Sequence, residues 1–393
     1  MKIIYDRFEL SGGLADIGVL LPIIVALAAI NKLDPFAALL FCGIFYITTS
    51  LYYKVLVPVQ PLKVFCTIAI AVKASPDLIS AGALLMGVFF VILSIPHVIT
   101  SIKKLFPLPI IRGIQLGTGF LLIDSGIRIF TSAQVLIAGP NEMVSLFSLA
   151  IPTALVLGIF CALGLMMLLR SDKYPAGIVL IVFGVVLALI YGAKLPSLLP
   201  KTEHFKGLLN IKQVNFDLLL KSLWIFVLPQ IPLSVGNAIV ATEDTLKTYF
   251  GGKADKVEAG RLSFGMGCFN ILAGLFGGVP CCHGCAGATA HYRFGARTGS
   301  ATLFAGIFYT LIAVAVFFFG TSVFSFFPYP VLGVLLVYAG IEHGLLIGDV
   351  TAREDLAVAL IIASIAFATK NMSIAFICGM IVRKIAASQK IFA

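Results

Sequence analysis

One hydrophobic segment, broken by two prolines, decides the fold: Val57-Pro-Val-Gln-Pro-Leu-Lys-Val-Phe-Cys-Thr-Ile-Ala-Ile-Ala-Val72. Proline lacks an amide hydrogen and is tolerated at a helix start, so the segment predicts extended chain followed by a helix that begins near Lys63. The apolar remainder, residues 64–72, would be about 13.5 Å long, roughly half the thickness of a bilayer. We therefore expect a helix that starts in the middle of a membrane.

The whole chain has the composition of a membrane protein. Of its 393 residues, 60% are hydrophobic and only 12% are charged, and the mean hydropathy is +1.07. Hydrophobic runs of about 17–25 residues, long enough to cross a bilayer, recur about fourteen times, with 12–31, 78–99 and 145–169 as the first, fourth and sixth. Lysine and arginine collect in loops that place both termini in the cytoplasm, so the net charge of +10 indicates orientation in a cell membrane and not nucleic-acid binding.

A second interrupted segment, Val279-Pro-Cys-Cys-His-Gly-Cys285, lies 222 residues after the first. Phe106-Pro-Leu-Pro109 recurs as Phe327-Pro-Tyr-Pro330 at an offset of 221, and Leu14-Ala-Asp-Ile-Gly18 aligns with Pro232-Leu-Ser-Val-Gly236 at an offset of 218. Three matches in order, at nearly one offset, indicate an internal duplication. An odd number of spans in each half forces the second half to insert upside down.

The expected fold class is an all-α polytopic membrane protein with about fourteen spans as a 7+7 inverted repeat, with half-helices in spans 3 and 10. The first seven-span repeat would occupy residues 10–195, and the second, inverted repeat would occupy residues 222–388. Residues 196–221 would form a linker with an interfacial amphipathic helix. We expect no cytoplasmic regulatory domain, because the sequence continues only a few residues past its last predicted span.

Two half-helix starts that face each other would form an anion site, because each offers unpaired amides and about half a positive charge. A dianion needs further positive charge, and the candidates are Lys63 and a protonated His283 in the matching first turns. Gln60 and the chain around Cys281, Cys282 and Gly284 would add hydrogen bonds. Structural explanations compete, since Lys63 could snorkel or pair with an acid and His283 could be a packing residue.

The eighth span carries a polar face made by Gln230, Ser234 and Asn237, which are three or four residues apart. These side chains could bind substrate or hold neighbouring helices by hydrogen bonds. Ionisable groups inside a membrane are functional candidates, so Asp16, His283 and Glu342 are candidates for proton coupling.

The cluster Cys281-Cys-His-Gly-Cys285 raises the alternative of a thiol- or metal-dependent membrane enzyme. Adjacent cysteines cannot easily both reach one tetrahedral ion, and the sequence offers no second Cys/His pair, so we expect no metal and no cofactor. The G-x-x-x-x-G-K-[ST] pattern does not occur, which excludes ATP hydrolysis by a P-loop. We expect a transporter driven by a gradient, not an enzyme.

Five segments together resemble the molybdate transporter family, a branch of the sulfate permease superfamily. They are Leu14-Ala-Asp-Ile-Gly18, Val57-Pro-Val-Gln-Pro-Leu-Lys63, Pro229-Gln-Ile-Pro-Leu-Ser-Val-Gly-Asn237, Cys282-His-Gly284 and His291-Tyr-Arg-Phe-Gly-Ala-Arg-Thr-Gly299. The resemblance implies a core domain that carries the half-helices, a gate domain, an elevator-type motion between them, and a substrate of the molybdate or sulfate type.

The leading hypothesis is therefore proton-coupled uptake of molybdate, with sulfate or tungstate as related substrates. A nucleobase or bicarbonate carrier of the same fold and an uncoupled anion channel are the alternatives. The expected partners are a small oxyanion, protons and the lipid bilayer, and the sequence is compatible with a homodimer.

Overall fold

The computed structural model describes residues 3–137, 139–146, 149–169, 171, 173–194 and 214–389. Among these residues, eight helical segments are long and apolar enough to cross a membrane: Arg7–Asn31, Pro35–Tyr53, Pro76–Leu93, Leu108–Phe130, Phe216–Ala254, Ala259–Phe276, Gly299–Phe326 and Tyr329–Asp349. Further helices are Thr153–Leu168, Ala176–Ile190, Arg353–Thr369 and Met372–Gln389. The expected class, an all-α membrane protein, is confirmed.

Two nine-residue helices occur where the sequence predicts interrupted spans. Lys63–Ala71, the first short helix, follows the strand Gln60–Pro61, and Cys285–Arg293, the second short helix, follows the strand Cys281–Cys282. The two strands pair antiparallel, with Gln60 opposite Cys282. The prolines leave this chain extended, and the pairing holds the two helix starts near each other.

Three predicted spans differ from the structure. The first divides into Arg7–Gly13 and Ile17–Asn31 around a turn that contains Asp16. The fourth divides into Pro76–Leu93 and Pro96–Lys103, because Pro96 lacks the amide that would continue the helix. The sixth begins only at Thr153, after a hairpin of Met143–Leu146 with Leu149–Pro152. A short apolar run does not by itself distinguish a strand from a helix, which explains this error.

The segment expected to form the interfacial linker lies mostly outside the described residues, which resume at residue 214. Its end, Phe216–Ser222, is helical and continues into the eighth span. That span widens into π-helix at Leu223–Val227 and again at Ser234–Ala241. Pro229 and Pro232, which cannot donate ordinary helical hydrogen bonds, lie between the two wide turns, and π-helical turns are frequent at functional sites.

Pairs of glycines bring the long helices into close contact. A β-carbon at Gly119 would lie 2.7 Å from the carbonyl oxygen of Gly340, and one at Gly340 would lie 2.7 Å from the carbonyl oxygen of Gly119. Gly126 and Gly333 meet in the same way, so Leu108–Phe130 and Tyr329–Gly344 run antiparallel. Each contact depends on a missing side chain, as in other tightly packed membrane helices.

Two further glycine contacts have the same form. Gly43 of Pro35–Tyr53 faces Gly306 of Gly299–Phe319, and Gly87 of Pro76–Leu93 faces Gly267 of Ala259–Phe276. The four helices therefore pack as two close pairs.

Candidate functional site

A cavity of about 400 Å³ opens beside the start of the first short helix. Its walls come from that helix, the π-helical turns Ser234–Ala241, the helix Leu108–Phe130 and the loop before Met372. Lys63, Asn237 and Thr118 line it from three different walls. A concave site of this size with a few convergent polar groups is typical of small-ligand binding.

The ammonium group of Lys63 is the buried charge of this cavity, which is also lined by the partly exposed ion pair of Lys370 with Asp124 at 2.9 Å. Its Nζ atom is buried and has no hydrogen-bond partner among the residues that the structure describes. A charged group removed from water without a partner is strongly destabilising, so this ammonium requires an anion. Lys63 is also the first residue of its helix, where unpaired amides add positive potential. The arrangement suits an oxyanion.

Thr118 is a site residue that the sequence analysis missed. Its hydroxyl is buried and without a partner in the described part of the chain, and it lines the same cavity as Lys63. Thr118 stands between Gly117 and Gly119 in an apolar helix. A hydroxyl between two glycines in a membrane span was the available signal, because such a polar group needs a partner that the bilayer does not provide.

Gln230 and Ser234 support the first short helix. The side-chain carbonyl of Gln230 accepts a hydrogen bond of 2.9 Å from the amide of Phe65, and its Nε2 donates to Ser234 Oγ at 3.0 Å. Phe65 is in the first turn, so Gln230 satisfies one of the amides that the helix itself leaves unpaired. Both predicted residues therefore lie at the helix start, with Gln230 in a capping contact.

Asn237 lines the cavity and is also tied to the second short helix. Its Oδ1 accepts a hydrogen bond of 2.7 Å from the thiol of Cys285, whose sulfur lies 3.1 Å from His343 Nε2. His343 Nδ1 lies 3.0 Å from Thr289 Oγ1, one turn further along that helix. Asn237 thus connects the cavity with both the second helix start and the helix Tyr329–Gly344.

The remaining predicted residues of the second segment lie behind the cavity. The second short helix begins at Cys285 with Gly284 as its N-cap, so His283 precedes the helix and is not in its first turn as predicted. His283 Nδ1 donates to the carbonyl of Pro58 at 2.8 Å, and its ring packs 5.0 Å from that of Phe45. None of Cys281, Cys282, His283 and Gly284 is among the described residues that line the cavity around Lys63.

Gln60 links this region to Asp16, which is completely buried in the turn of the first span. Gln60 Nε2 donates to Asp16 Oδ1 at 2.6 Å, and the hydroxyl of Tyr46 donates to Asp16 Oδ2 at 2.7 Å. His291 Nε2 lies 3.2 Å from the same oxygen. The sequence analysis did not assign Tyr46 or His291.

Glu342, the other carboxylate proposed for coupling, lies elsewhere. It forms an ion pair of 2.8 Å with Arg293 at the end of the second short helix. The structure therefore does not bring Glu342 into the network around Asp16.

A buried arginine connects the eighth span with the helix Leu108–Phe130. Arg112 forms ion pairs with Asp244 and Asp349 and also donates to Gln115. Its guanidinium is almost completely enclosed, so these carboxylates supply the counter-charges that burial requires. Asp244 thus links the end of the eighth span to the helix Leu108–Phe130.

The thiols of the cysteine-rich segment contact different parts of the structure. Cys285 bonds to Asn237, whereas Cys281 lies 3.4 Å from Cys42 on the helix Pro35–Tyr53. Within the described ranges, no group of three or more His, Cys, Asp or Glu side chains is placed to hold a metal ion.

Apolar helices surround a cavity whose buried ammonium has no partner among the described residues, an arrangement that suits a membrane protein that binds anions. The chain belongs to the molybdate transporter family, since the family model described as "Molybdate transporter of MFS superfamily" matches residues 8–122 and 222–342. This confirms the family resemblance seen in the sequence.

Curated relatives are similar over most of their length. Molybdate transporter 2 of Arabidopsis thaliana is 28% identical over 408 residues, which cover 95% of this chain and 86% of the relative. Molybdate transporter 1 of Chlamydomonas reinhardtii is 24% identical over 487 residues, with coverage of 95% and 90%. These relatives are named transporters and not enzymes, in agreement with the prediction.

Solved structures show the same fold at low sequence identity. The transmembrane domain of the cyanobacterial bicarbonate transporter BicA has a TM-score of 0.58 at 15% identity and covers 97% of this chain and 98% of its own. The murine anion transporter Slc26a9 in its inward-facing state has a TM-score of 0.54 at 15% identity, with coverage of 98% and 69%. At these identities the similarity shows that the fold is shared.

Proposed function

We propose that this protein takes up molybdate by secondary active transport and that the oxyanion binds in the cavity beside Lys63. The observation that carries the proposal is the buried Nζ of Lys63, which has no partner among the described residues and lies at a helix start. The named activity of the curated relatives supplies the choice of molybdate among small oxyanions.

The electrostatics of the site favour a doubly charged guest. The Lys63 ammonium and the start of the first short helix together offer roughly one and a half positive charges, and the Lys370 ammonium, which also lines the cavity, is offset by the Asp124 carboxylate with which it pairs at 2.9 Å. Thr118 Oγ1 and the amide of Asn237 would add neutral hydrogen bonds. Molybdate, tungstate and sulfate are all tetrahedral dianions, so the cavity is expected to accept each of them with different affinity.

Close helix contacts support a 7+7 inverted repeat with about fourteen spans and a half-helix in each half. Gly119 faces Gly340, its own equivalent at the offset of 221 residues. Gly43 is equivalent to Gly267 at an offset of 224 residues, and Gly87 is equivalent to Gly306 at an offset of 219. Exchanging the two halves therefore converts the contact Gly43–Gly306 into the contact Gly87–Gly267. An antiparallel pair of equivalent strands, Gln60–Pro61 with Cys281–Cys282, fits the same two-fold relation.

An elevator-type motion would separate the walls of the cavity. Lys63 and Asn237 would belong to the core domain, whereas Thr118 would belong to the gate domain, in which Leu108–Phe130 packs on Tyr329–Gly344 and Arg353–Thr369. We infer that the ion pair of Arg112 with Asp244 closes one end of the path between these domains and must break once in each cycle.

We further propose that transport is coupled to protons and that the protein is a homodimer. It would lie in the cell membrane with both termini in the cytoplasm. Asp16 is its coupling carboxylate, because it is fully buried and hydrogen-bonded to Gln60, three residues before Lys63. The alternatives are a bicarbonate or nucleobase carrier and an uncoupled anion channel. Similarity to BicA supports the fold and does not select bicarbonate as the substrate.

A binding competition tests the substrate. Purified protein in detergent should bind radiolabelled molybdate, and unlabelled tungstate should displace it at nearly the same concentration as unlabelled molybdate, because the two ions share charge and shape. We expect sulfate to compete more weakly and bicarbonate or a nucleobase not to compete. Displacement by bicarbonate or a nucleobase, without displacement by tungstate, would reject the proposal.

Thr118 should contribute a hydrogen bond to the bound oxyanion. Replacing it by valine keeps the shape of the side chain but removes the hydroxyl, and a hydrogen bond to a charged ligand contributes about 1.5–3 kcal/mol. We expect Thr118→Val to weaken molybdate binding by roughly 10–100-fold. Isothermal titration calorimetry measures the change, and Thr118→Ser should retain most of the affinity. Equal affinities for the wild type and the valine variant would remove Thr118 from the site.

A further inference from the structure

The network around Asp16 contains one proton more than an ionised carboxylate and a neutral imidazole would supply. His291 Nδ1 lies 2.6 Å from the carbonyl oxygen of Gly12, and a carbonyl can only accept, so Nδ1 carries a hydrogen. His291 Nε2 lies 3.2 Å from Asp16 Oδ2. A neutral imidazole with its hydrogen on Nδ1 would direct a lone pair at this carboxylate oxygen.

Tyr46 does not resolve this conflict. Its single hydroxyl hydrogen is donated to Asp16 Oδ2 at 2.7 Å, and its oxygen lies 3.3 Å from His291 Nε2. The other carboxylate oxygen of Asp16 is occupied by the amide of Gln60. A proton between Nε2 and Oδ2 is required, whether it is written as an imidazolium with a carboxylate or as an imidazole with a carboxylic acid.

We infer that Asp16 and His291 share a transferable proton and together form the proton carrier of this transporter. The inference rests on the proposed oxyanion transport and extends it, because it assigns His291 and defines the carrier as a pair. In each cycle, one proton from water on the outer side would bind between Nε2 and Oδ2 and would leave to water in the cytoplasm. Only N–H and O–H bonds would form and break.

Gln60 provides the connection from this proton to the oxyanion. Its Nε2 is bonded to Asp16, while its Oε1 is buried, has no partner in the described part of the chain, and lies against Gly284, the N-cap of the second short helix. The backbone of Gln60 pairs with Cys282 and leads within three residues to Lys63. Loss of the shared proton would leave the lone pairs of His291 Nε2 and Asp16 Oδ2 opposed, so Asp16 would move away from His291, and Gln60, which donates to Asp16, would shift with it beside both helix starts.

Other titratable groups face this pair from the surrounding elements. Tyr46 and Tyr309 stack with ring centroids 5.5 Å apart, and Cys282 lies on the adjoining strand. Phenols and thiols keep their own hydrogens at neutral pH, so they do not supply the proton that Asp16 and His291 share. Glu9, on the preceding helix, accepts from the amides of Arg297 and Ala301 at 3.0 and 3.1 Å. Lys63, three residues after Gln60, lines the cavity.

The test uses the full chain in proteoliposomes with radiolabelled molybdate. An inward proton gradient should drive accumulation by the wild type, and His291→Gln should lower this accumulation by at least about tenfold, within the range of coupling free energies between linked sites. Molybdate exchange, measured with the same pH on both sides of the membrane, should depend on that pH in the wild type but not in the variant. His97→Gln, at an exposed histidine, is the matched control and should behave like the wild type.

A second measurement does not need a substrate. Infrared titration of the purified wild type should show a titrating carboxyl band, from either a protonated carboxyl or an ion-paired carboxylate, that is absent in Asp16→Asn and altered in His291→Gln. Gradient-driven accumulation by His291→Gln at the wild-type level, or a band unaffected by both substitutions, would overturn the inference. If the wild type does not bind molybdate while this band still titrates, the proposed substrate is wrong and the shared proton stands.

Discussion

Replacing Lys63 by alanine is expected to abolish molybdate uptake and to leave the protein folded. The ammonium is the buried positive charge of the cavity, and its loss removes both the Coulomb attraction and a charge-assisted hydrogen bond. A contribution of about 3 kcal/mol corresponds to at least about a 100-fold loss of affinity. Because the removed group is buried without a partner among the described residues, thermal stability in the absence of anion should be unchanged or higher.

Calorimetric titration with molybdate and a melting curve without molybdate provide the two readouts. Lys253→Ala, which removes an exposed lysine from the turn Gly251–Ala254, is the matched control for net charge. If Lys63→Ala binds molybdate as tightly as this control, the oxyanion does not rest on Lys63. A lower melting temperature without anion would indicate instead that Lys63 is a structural residue.

Replacing Gly287 by alanine should also stop uptake, although the added group is a single methyl. A β-carbon at this position would lie 2.6 Å from Gln60 Nε2 and 2.7 Å from Asp16 Oδ2. Both side chains would have to move away from the second short helix, and their hydrogen bond of 2.6 Å would be disturbed. A displacement of about 1 Å at such a site is expected to lower the transport rate by roughly 100-fold.

Gly164→Ala is the control for this prediction, because a β-carbon at Gly164 meets nothing within 4 Å. Uptake rates should be compared at equal amounts of folded protein, determined by size-exclusion chromatography. Normal uptake by Gly287→Ala would show that the contact of Asp16 and Gln60 with the second short helix is not needed for transport.

Most of the fold could be predicted because lipid imposes strong rules on sequence. Pro58 and Pro61 mark an interruption, and the observed short helix, Lys63–Ala71, begins at Lys63 as predicted. The predictions failed where local chemistry overrides hydrophobicity. Ser145, Leu146 and Leu149–Pro152 were assigned to a span, yet they belong to paired strands before Thr153.

The candidate site could be predicted only in part. Lys63 and Asn237 were found because a charge and a polar face stand out in apolar spans, and both line the cavity. Thr118 was missed although its hydroxyl between two glycines was a local signal, whereas His291 was missed because its role depends on contact with Asp16, 275 positions away in the sequence. His283 was assigned to the first turn on the expectation that the second short helix starts soon after Pro280. The N-cap of that helix is Gly284, so His283 precedes the helix.

Anomalous X-ray diffraction at the molybdenum edge, from crystals grown with molybdate, tests the central claim most directly. The account predicts a molybdenum peak beside the start of Lys63–Ala71, with the metal about 4 Å from Lys63 Nζ because one oxygen lies between them. The peak should disappear in Lys63→Ala. A peak located elsewhere, such as beside Arg112, or one that persists at the same place in Lys63→Ala, would contradict the account.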